Sequence, residues 1–199
     1  PLWLVVNPAL PVRSVSEFIA YARANPGRIS YASSSSGGAT HLAGELFKQL
    51  TGTDMVHVPY RGSGPAVQDL IAGNVQAMFD SVPSSAASAR DGRLRALAVT
   101  TRNRIAPFPD LPTIAEAGVP GFEISTWYGI WAPARTPPAI IARLQQAVAA
   151  AARNPETRAR FDALGAEPVA DSPEDYARFV RAEYDRWGAL VRDAKIKLD

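Results

Sequence analysis

Short apolar runs alternate with amphipathic stretches through the first hundred residues of the chain. Residues 2–8 (LWLVVNP) form an apolar run closed by Asn-Pro, and residues 14–27 (SVSEFIAYARANPG) follow with Val15, Phe18, Ile19 and Ala22 at helical spacing. Ser14 with Glu17 three residues on marks that helix's start, and Asn25-Pro26-Gly27 its end. The segment ISYAS, 29–33, predicts a strand. The stretch after it carries Ala43, Leu46, Phe47 and Leu50 on one helical face before Gly52. MVHVPY (55–60), VQAMFDS (75–81) and LRALAVTT (94–101) predict three further strands. GPAVQDLIAG, with Pro65 in its first turn, predicts the helix between the first two, and a short helix near 84–90 separates the last two. The order β-α-β-α-β-α-β predicts an α/β fold with a mostly parallel sheet covered by helices on both faces.

Beyond Thr101 the pattern changes. Residues 107–122 (PFPDLPTIAEAGVPGF) are rich in turn residues, with Thr113 and Glu116 spaced as a capping box on a very short helix. Residues 123–133 (EISTWYGIWAP) then predict an aromatic extended run. Thr136-Pro137, Asn154-Pro155 and Ser172-Pro173 are three N-cap and first-turn signatures, which predict helices from about 137, 155 and 173. The last helix carries Tyr176, Phe179, Val180, Trp187, Leu190 and Val191 as a packing stripe. The runs 2–6 and 124–132 are expected to stand outside the compact α/β unit, as crossing strands between two lobes of a hinged protein.

Composition narrows the chemistry. The 199 residues are 47% hydrophobic and 20% charged, as in ordinary globular proteins. The 21 Lys and Arg and 19 Asp and Glu leave a net charge of +2, and the two signs are interleaved, which argues against a nucleic-acid surface. The absence of cysteine removes disulfides, thiolate nucleophiles and Cys-ligated metals. No apolar run approaches the ~18–20 residues of a membrane span. The chain starts at Pro1 without a charged-then-apolar leader, so localisation is not read from it directly.

The segment SSSSGGATH, 33–41, lies where a parallel strand ends and a helix begins, the position at which open α/β sheets bind ligands. A helix N-terminus leaves roughly four N–H groups unpaired and carries about half a positive charge. Gly37 and Gly38 let the backbone approach closely, Ser33, Ser34, Ser35, Ser36 and Thr40 add short hydroxyls, and the N–H groups of Gly38, Ala39 and Thr40 point outward from the first turn. No lysine follows, and neither the phosphate-loop nor the dinucleotide pattern occurs, so a singly charged carboxylate suits the loop better than a polyphosphate. One residue suffices to cap a helix, and this run exceeds that need.

Other candidates surround this loop. His41, in the first helical turn, either touches ligand or serves as a structural hydrogen bonder; His57 is read as a sheet residue. Tyr60, Arg61 and Gly62 recur at the same rim, with Arg61 positioned to pair a second carboxylate or simply solvated. Asp80 and Ser81 end the third of these strands. Asp80 repels an anion, so capping, orienting loop donors or accepting from a ligand amine or hydroxyl are its open roles. Trp127 and Tyr128 either line a cleft or fill a core. No G-x-S-x-G, no H-E-x-x-H and no paired carboxylates adjoin the loop, so catalytic residues, metal ligands and cofactors are not expected.

The motifs S-x-G-G-x-T-H-L-A-G-E-L-F (35–47), VHVPYRGSGPAVQDLIAG, MFDS, LRALAVTT, FPDLPTIAEAGVPGFE and WYGIWAP together resemble the tripartite tricarboxylate transporter receptors known as Bug or TctC proteins. The resemblance implies a periplasmic solute receptor of periplasmic-binding-protein type II architecture. It also implies a small carboxylate ligand, di- or tricarboxylate, acidic amino acid or aromatic acid, held without catalysis and passed to the transporter's membrane components. Such receptors are longer than this chain and begin with a strand and a Gly-Gly loop that nothing here matches. The expected organisation is therefore one complete doubly wound lobe, 9–124, with 1–8 and 125–199 as crossing strands and C-terminal helices of a partial second lobe. Weak binding of free carboxylates is expected, as is self-association through an aromatic face near Tyr176, Phe179 and Trp187. Two alternatives stay open: a ligand-sensing effector domain, which needs a helix-turn-helix absent here, and an α/β enzyme acting on a carboxylate, which needs a strongly perturbed titratable group beside the loop.

Overall fold

The computed structural model describes residues 1–163 and 166–196. The chain divides into two compact units: Pro1–Thr126 with the segment from Leu190 onward, and Trp127–Ala189.

The first unit runs β1 (Leu2–Val6), α1 (Val15–Ala24), β2 (Ile29–Ser33), α2 (Ala39–Thr51), β3 (Met55–Pro59), α3 (Ser63–Ala72), β4 (Ala77–Ser81), α4 (Val82–Arg90) and β5 (Arg95–Val99). The strands form one sheet in the order β3-β2-β4-β1-β5. β2 pairs in parallel with β3 and with β4, whereas β1 runs antiparallel between β4 and β5. Four of the five strands thus run in one direction, as the alternation predicts, while the inserted β1 makes two of the four pairings antiparallel. The run Leu2–Val6, expected outside the α/β unit, is instead an inner strand of it. All five residues are buried, so both faces of this strand carry apolar side chains.

Strand alternation sends side chains to two cores. On one face Trp3, Val5, Ala32 and Met78 pack with Ala66, Val67 and Leu70 of α3 and Val82 of α4. On the other, Phe79 meets Phe47 of α2 and Phe122, with Phe18 of α1 against Phe47; ring centroids lie 5.5–6.1 Å apart. Each of these fully buried rings contributes about 1.5–3 kcal/mol by transfer from water.

Local signals in the sequence account for the ends of these elements. Ser14 Oγ accepts the Glu17 N–H and caps α1, although Glu17 reaches back to the Arg13 N–H rather than to that of Ser14. Thr113 and Glu116 make the reciprocal pair of a capping box, yet the segment holds turns and no helix. The expected extended run 124–132 forms no strand: the Ile124 N–H bonds the Thr100 carbonyl, and the residues after it pair with no neighbouring strand.

The second unit holds α5 (Pro138–Arg153), α6 (Pro155–Ala163) and most of α7 (Pro173–Asp193). Asn154 and Ser172 accept first-turn N–H groups of α6 and α7, as their spacing predicts; Thr136 makes no such bond, and Pro137 stands at the cap of α5 instead. Tyr176 and Phe179 of α7 stack on each other and meet Trp127 edge-on, and Tyr176 also meets Trp131 at a tilt. Tyr128, Ile130 and Trp131 remain 92%, 72% and 65% exposed.

Candidate functional site

The sheet's connections reverse direction between β2 and β4. From β2 the chain passes outward to β3, and from β4 it passes the other way to β5. A crevice opens at the carboxyl ends of the strands where such a reversal occurs. The serine loop follows β2, and Asp80 and Ser81 end β4. The β2–β4 register (Tyr31 with Ala77, Ala32 with Met78), continued by two residues, sets Asp80 level with Ser34. The loop 60–62 joins from the far side: the Tyr60 N–H donates to the Ser33 carbonyl and that of Gly62 to the Ser34 carbonyl.

The serine loop is held from within. Gly37 takes a left-handed conformation, φ 71°, which turns its N–H onto His41 Nδ1 at 2.9 Å. Thr40 Oγ1 accepts the Ser34 N–H at 2.9 Å and contacts the Ser34 hydroxyl at 3.0 Å. Ser33 is wholly buried, its hydroxyl donating to the Ser35 carbonyl, so His57 Nε2–H is the donor in their 2.7 Å contact. The N–H groups of Ala39 and Thr40 have no acceptor among the described residues. Two donors therefore stand free at the positive end of the thirteen-residue helix α2. Ser35 is exposed and Gly38 half-buried beside them.

Behind the loop, His41 and His57 stack at 3.6 Å with planes 9° apart. The Gly37 N–H requires an unprotonated His41 Nδ1, so the proton of the neutral ring sits on Nε2, which lies 3.9 Å from Glu45. Glu45 also accepts from the Tyr31 hydroxyl and from Lys48. Burial pushes the Tyr31 phenol far above its usual range, with Glu45 adding to the effect. Burial lowers His41, opposed by Glu45; burial first and the facing His41 second lower His57 to about 4.

These shifts predict acid sensitivity. The folded His57 titrates near 4 and the unfolded ring near 6.5, so the unfolded chain takes up its proton first as pH falls. The stabilisation from the neutral pair is complete above pH 6.5 and is lost between there and pH 4. Protonation of His41 at Nδ1 also expels the Gly37 N–H and loosens the loop. The wild-type melting temperature is expected to fall across this window more steeply than that of His57→Gln. Parallel slopes in thermal melts at pH 7.5, 5.5 and 4.5 would refute the assignment.

At the rim, Tyr60 donates its hydroxyl to Asp69 at 2.7 Å, and its phenol is pushed up to about 12 by burial and that bond. Arg61 is exposed and Gly62 caps α3. Ser81 caps α4 by position, without a side-chain bond to the helix. Asp80 is wholly buried; its Oδ2 accepts from the Ser84 hydroxyl at 2.5 Å, while Oδ1 has no donor among the described residues. Sequence reasoning missed His57 and Ser84 as parts of this site. Ser84 carried a signal, four residues after Asp80 across a strand-to-helix junction; the histidine pair, sixteen residues apart, carried none.

Among the described residues no group of three or more His, Asp or Glu is placed to hold a metal, and no helix is long and apolar enough to cross a membrane. A separate depression lined by Pro8, Arg90, Arg95 and Phe108 lies at the opposite end of the parallel strands.

The family model described as tripartite tricarboxylate transporter family receptor matches residues 1–196. Protein BugT of Bordetella pertussis is 39% identical over 198 residues, covering 100% of this chain and 61% of its own length. The chain thus spans about three fifths of that relative. Among solved structures, R. palustris Rpa4515 with adipate superposes with a TM-score of 0.89 at 42% identity, covering 100% of this chain and 67% of that one. The periplasmic binding protein BugD superposes with a TM-score of 0.84 at 30% identity, again covering 100% and 67%. These are solute-binding receptors and not enzymes. With a family model matched almost from end to end, the chain belongs to the tripartite tricarboxylate transporter receptor family.

Proposed function

We propose that the serine loop receives one carboxylate of a small organic acid, and that the chain acts in a periplasmic receptor that passes this acid to the membrane components of a tripartite transporter. The free N–H groups of Ala39 and Thr40, at the start of α2 in a loop without lysine, carry this reading. Two neutral donors at a helix terminus match the two oxygens of a carboxylate and undercompensate a polyphosphate. The adipate on the R. palustris neighbour supports the ligand class. Because the loop meets only a carboxylate, Tyr60 and Arg61 at the rim read the remainder of the ligand, Arg61 by pairing a second carboxylate. The exposed Tyr128, Ile130 and Trp131 of the second unit favour cover by a second copy of the chain.

Adipate, succinate and citrate titrated into isotopically labelled protein test this by amide NMR, which registers even millimolar binding. The expected result is saturable shifts largest at Gly38, Ala39 and Thr40. Absence of such shifts with every acid would overturn the carboxylate reading, and light scattering from a monodisperse monomer would overturn self-association.

A further inference from the structure

At the amino ends of the parallel strands, Arg90 and Arg95 line one depression of about 360 Å³, at the small end of the ~300–1,000 Å³ of ligand pockets. Pro8, Leu94 and Phe108 form its apolar wall, and no lining residue is acidic. Both guanidinium groups are held in place with N–H groups unspent. Arg90, in the last turn of α4, lies 5.1 Å over the Phe108 ring, which packs in turn on Trp3 at 4.9 Å. It has no hydrogen bond or ion pair among the described residues. Arg95 anchors through Nη1 alone, which donates to the carbonyls of Val12 at 2.8 Å, Leu10 at 3.3 Å and Pro8 at 3.4 Å. Its Nε and Nη2 have no acceptor among the described residues. The neighbouring Asp91 pairs with Arg93 at 3.6 Å. The carbonyl groups of Ala87, Ser88 and Ala89, which would otherwise repel an anion at this end of α4, are taken by the N–H groups of residues 91–94.

We propose that this depression is a second anion site, separate from the serine loop, and that its ligand is a phosphate monoester. Two guanidinium groups beside one concavity repel each other until an anion joins them. A phosphate dianion matches their joint charge and offers three acceptor oxygens to their planar forks. The serine loop has the opposite character, with neutral donors suited to a single carboxylate charge. The organic group of an ester has the apolar wall of Pro8, Leu94 and Phe108 to rest on. The two sites lie at opposite ends of the strands, so neither ligand displaces the other.

Phenyl phosphate titrated into the labelled chain at constant ionic strength, with chloride as the balancing salt, tests this by amide NMR. Saturable shifts are expected at Gly92, Arg95 and Ala96, larger than those at Gly38, Ala39 and Thr40 and half-complete below ~10 mM. Inorganic phosphate is expected to move the same amides at higher concentration, because it leaves the apolar wall bare. Arg90→Gln, an exposed change that leaves the three bonds of Arg95 intact, is expected to weaken binding about tenfold or more, the loss of a hydrogen bond to a charged group. Absence of saturable shifts would overturn the proposal, as would an affinity unchanged in Arg90→Gln. Equal affinity for inorganic phosphate would overturn the ester, and adipate moving these amides as strongly as phenyl phosphate would overturn the ligand class. Adipate shifts at Gly38, Ala39 and Thr40 bear on the carboxylate reading alone, so failure of either site is distinguishable from failure of the other.

Discussion

Thr40→Asp is expected to abolish carboxylate binding while leaving the protein folded. Thr40 Oγ1 accepts the Ser34 N–H, and an aspartate oxygen can accept the same bond. A carboxylate in the first turn of α2 is favourable towards the helix dipole by about 0.3–1 kcal/mol. That offsets part of the cost of charging a position only 6% exposed, so the protein is expected to stay folded with a modest fall in melting temperature. The same charge occupies the position in which a ligand carboxylate meets the Ala39 and Thr40 N–H groups. Hydrogen bonds to a charged group contribute about 1.5–3 kcal/mol each, so loss of two weakens binding by roughly two to four powers of ten before repulsion is added. If the serines and glycines do no more than cap the helix, the titration is unchanged, and that result would remove the site from the loop.

Gly44→Val is expected to produce the largest loss of stability at a single position near the site. Gly44 lies on the buried face of α2, against the ring of Tyr31; a Cβ there meets the ring and stands 2.6 Å from Cζ. The ring cannot yield, because it is fully buried and its hydroxyl is held at 2.6 Å by Glu45. Overpacking of this kind costs about 1–3 kcal/mol, and a branched residue lies at the upper end. At an open helical position replacing glycine gains stability, so the sign of the change is itself diagnostic. A urea midpoint for Gly44→Val equal to that of wild type would show that α2 and β2 part more readily than their contact implies.

The alternation of elements and several of their ends were legible because each rests on a few neighbouring residues: the Ser14 cap of α1, the caps at Asn154 and Ser172, the serine loop between β2 and α2. The place of β1 was not. A strand buried on both faces carries no alternation from which direction or neighbours can be read, and its pairing is decided by residues about seventy to a hundred positions away. The run 124–132 misled for a related reason, since aromatic residues suit a strand but cannot supply the partner strand that makes one. Within the site, the anion-binding end of α2 followed from local spacing. The histidine stack follows from the β2–β3 register beneath α2, and Asp80 with Ser84 from a helix that turns directly out of β4.

The interior position of β1, between β4 and β5, also orders assembly in time. Leu2 pairs with Ser81 and Trp3 with Val99, so this strand has both its neighbours only after about a hundred further residues have emerged. Until then β4 and β5 each offer an open edge, and the half-sheet β3-β2-β4 is the largest piece that sequence-near contacts can build. Insertion of an early segment between two late strands is a distant closure of the kind that slows folding and leaves edges free to pair wrongly. The β2–α2 site belongs to that early half-sheet, whereas the Asp80 rim of the crevice gains its second neighbour only when β1 slides in against it.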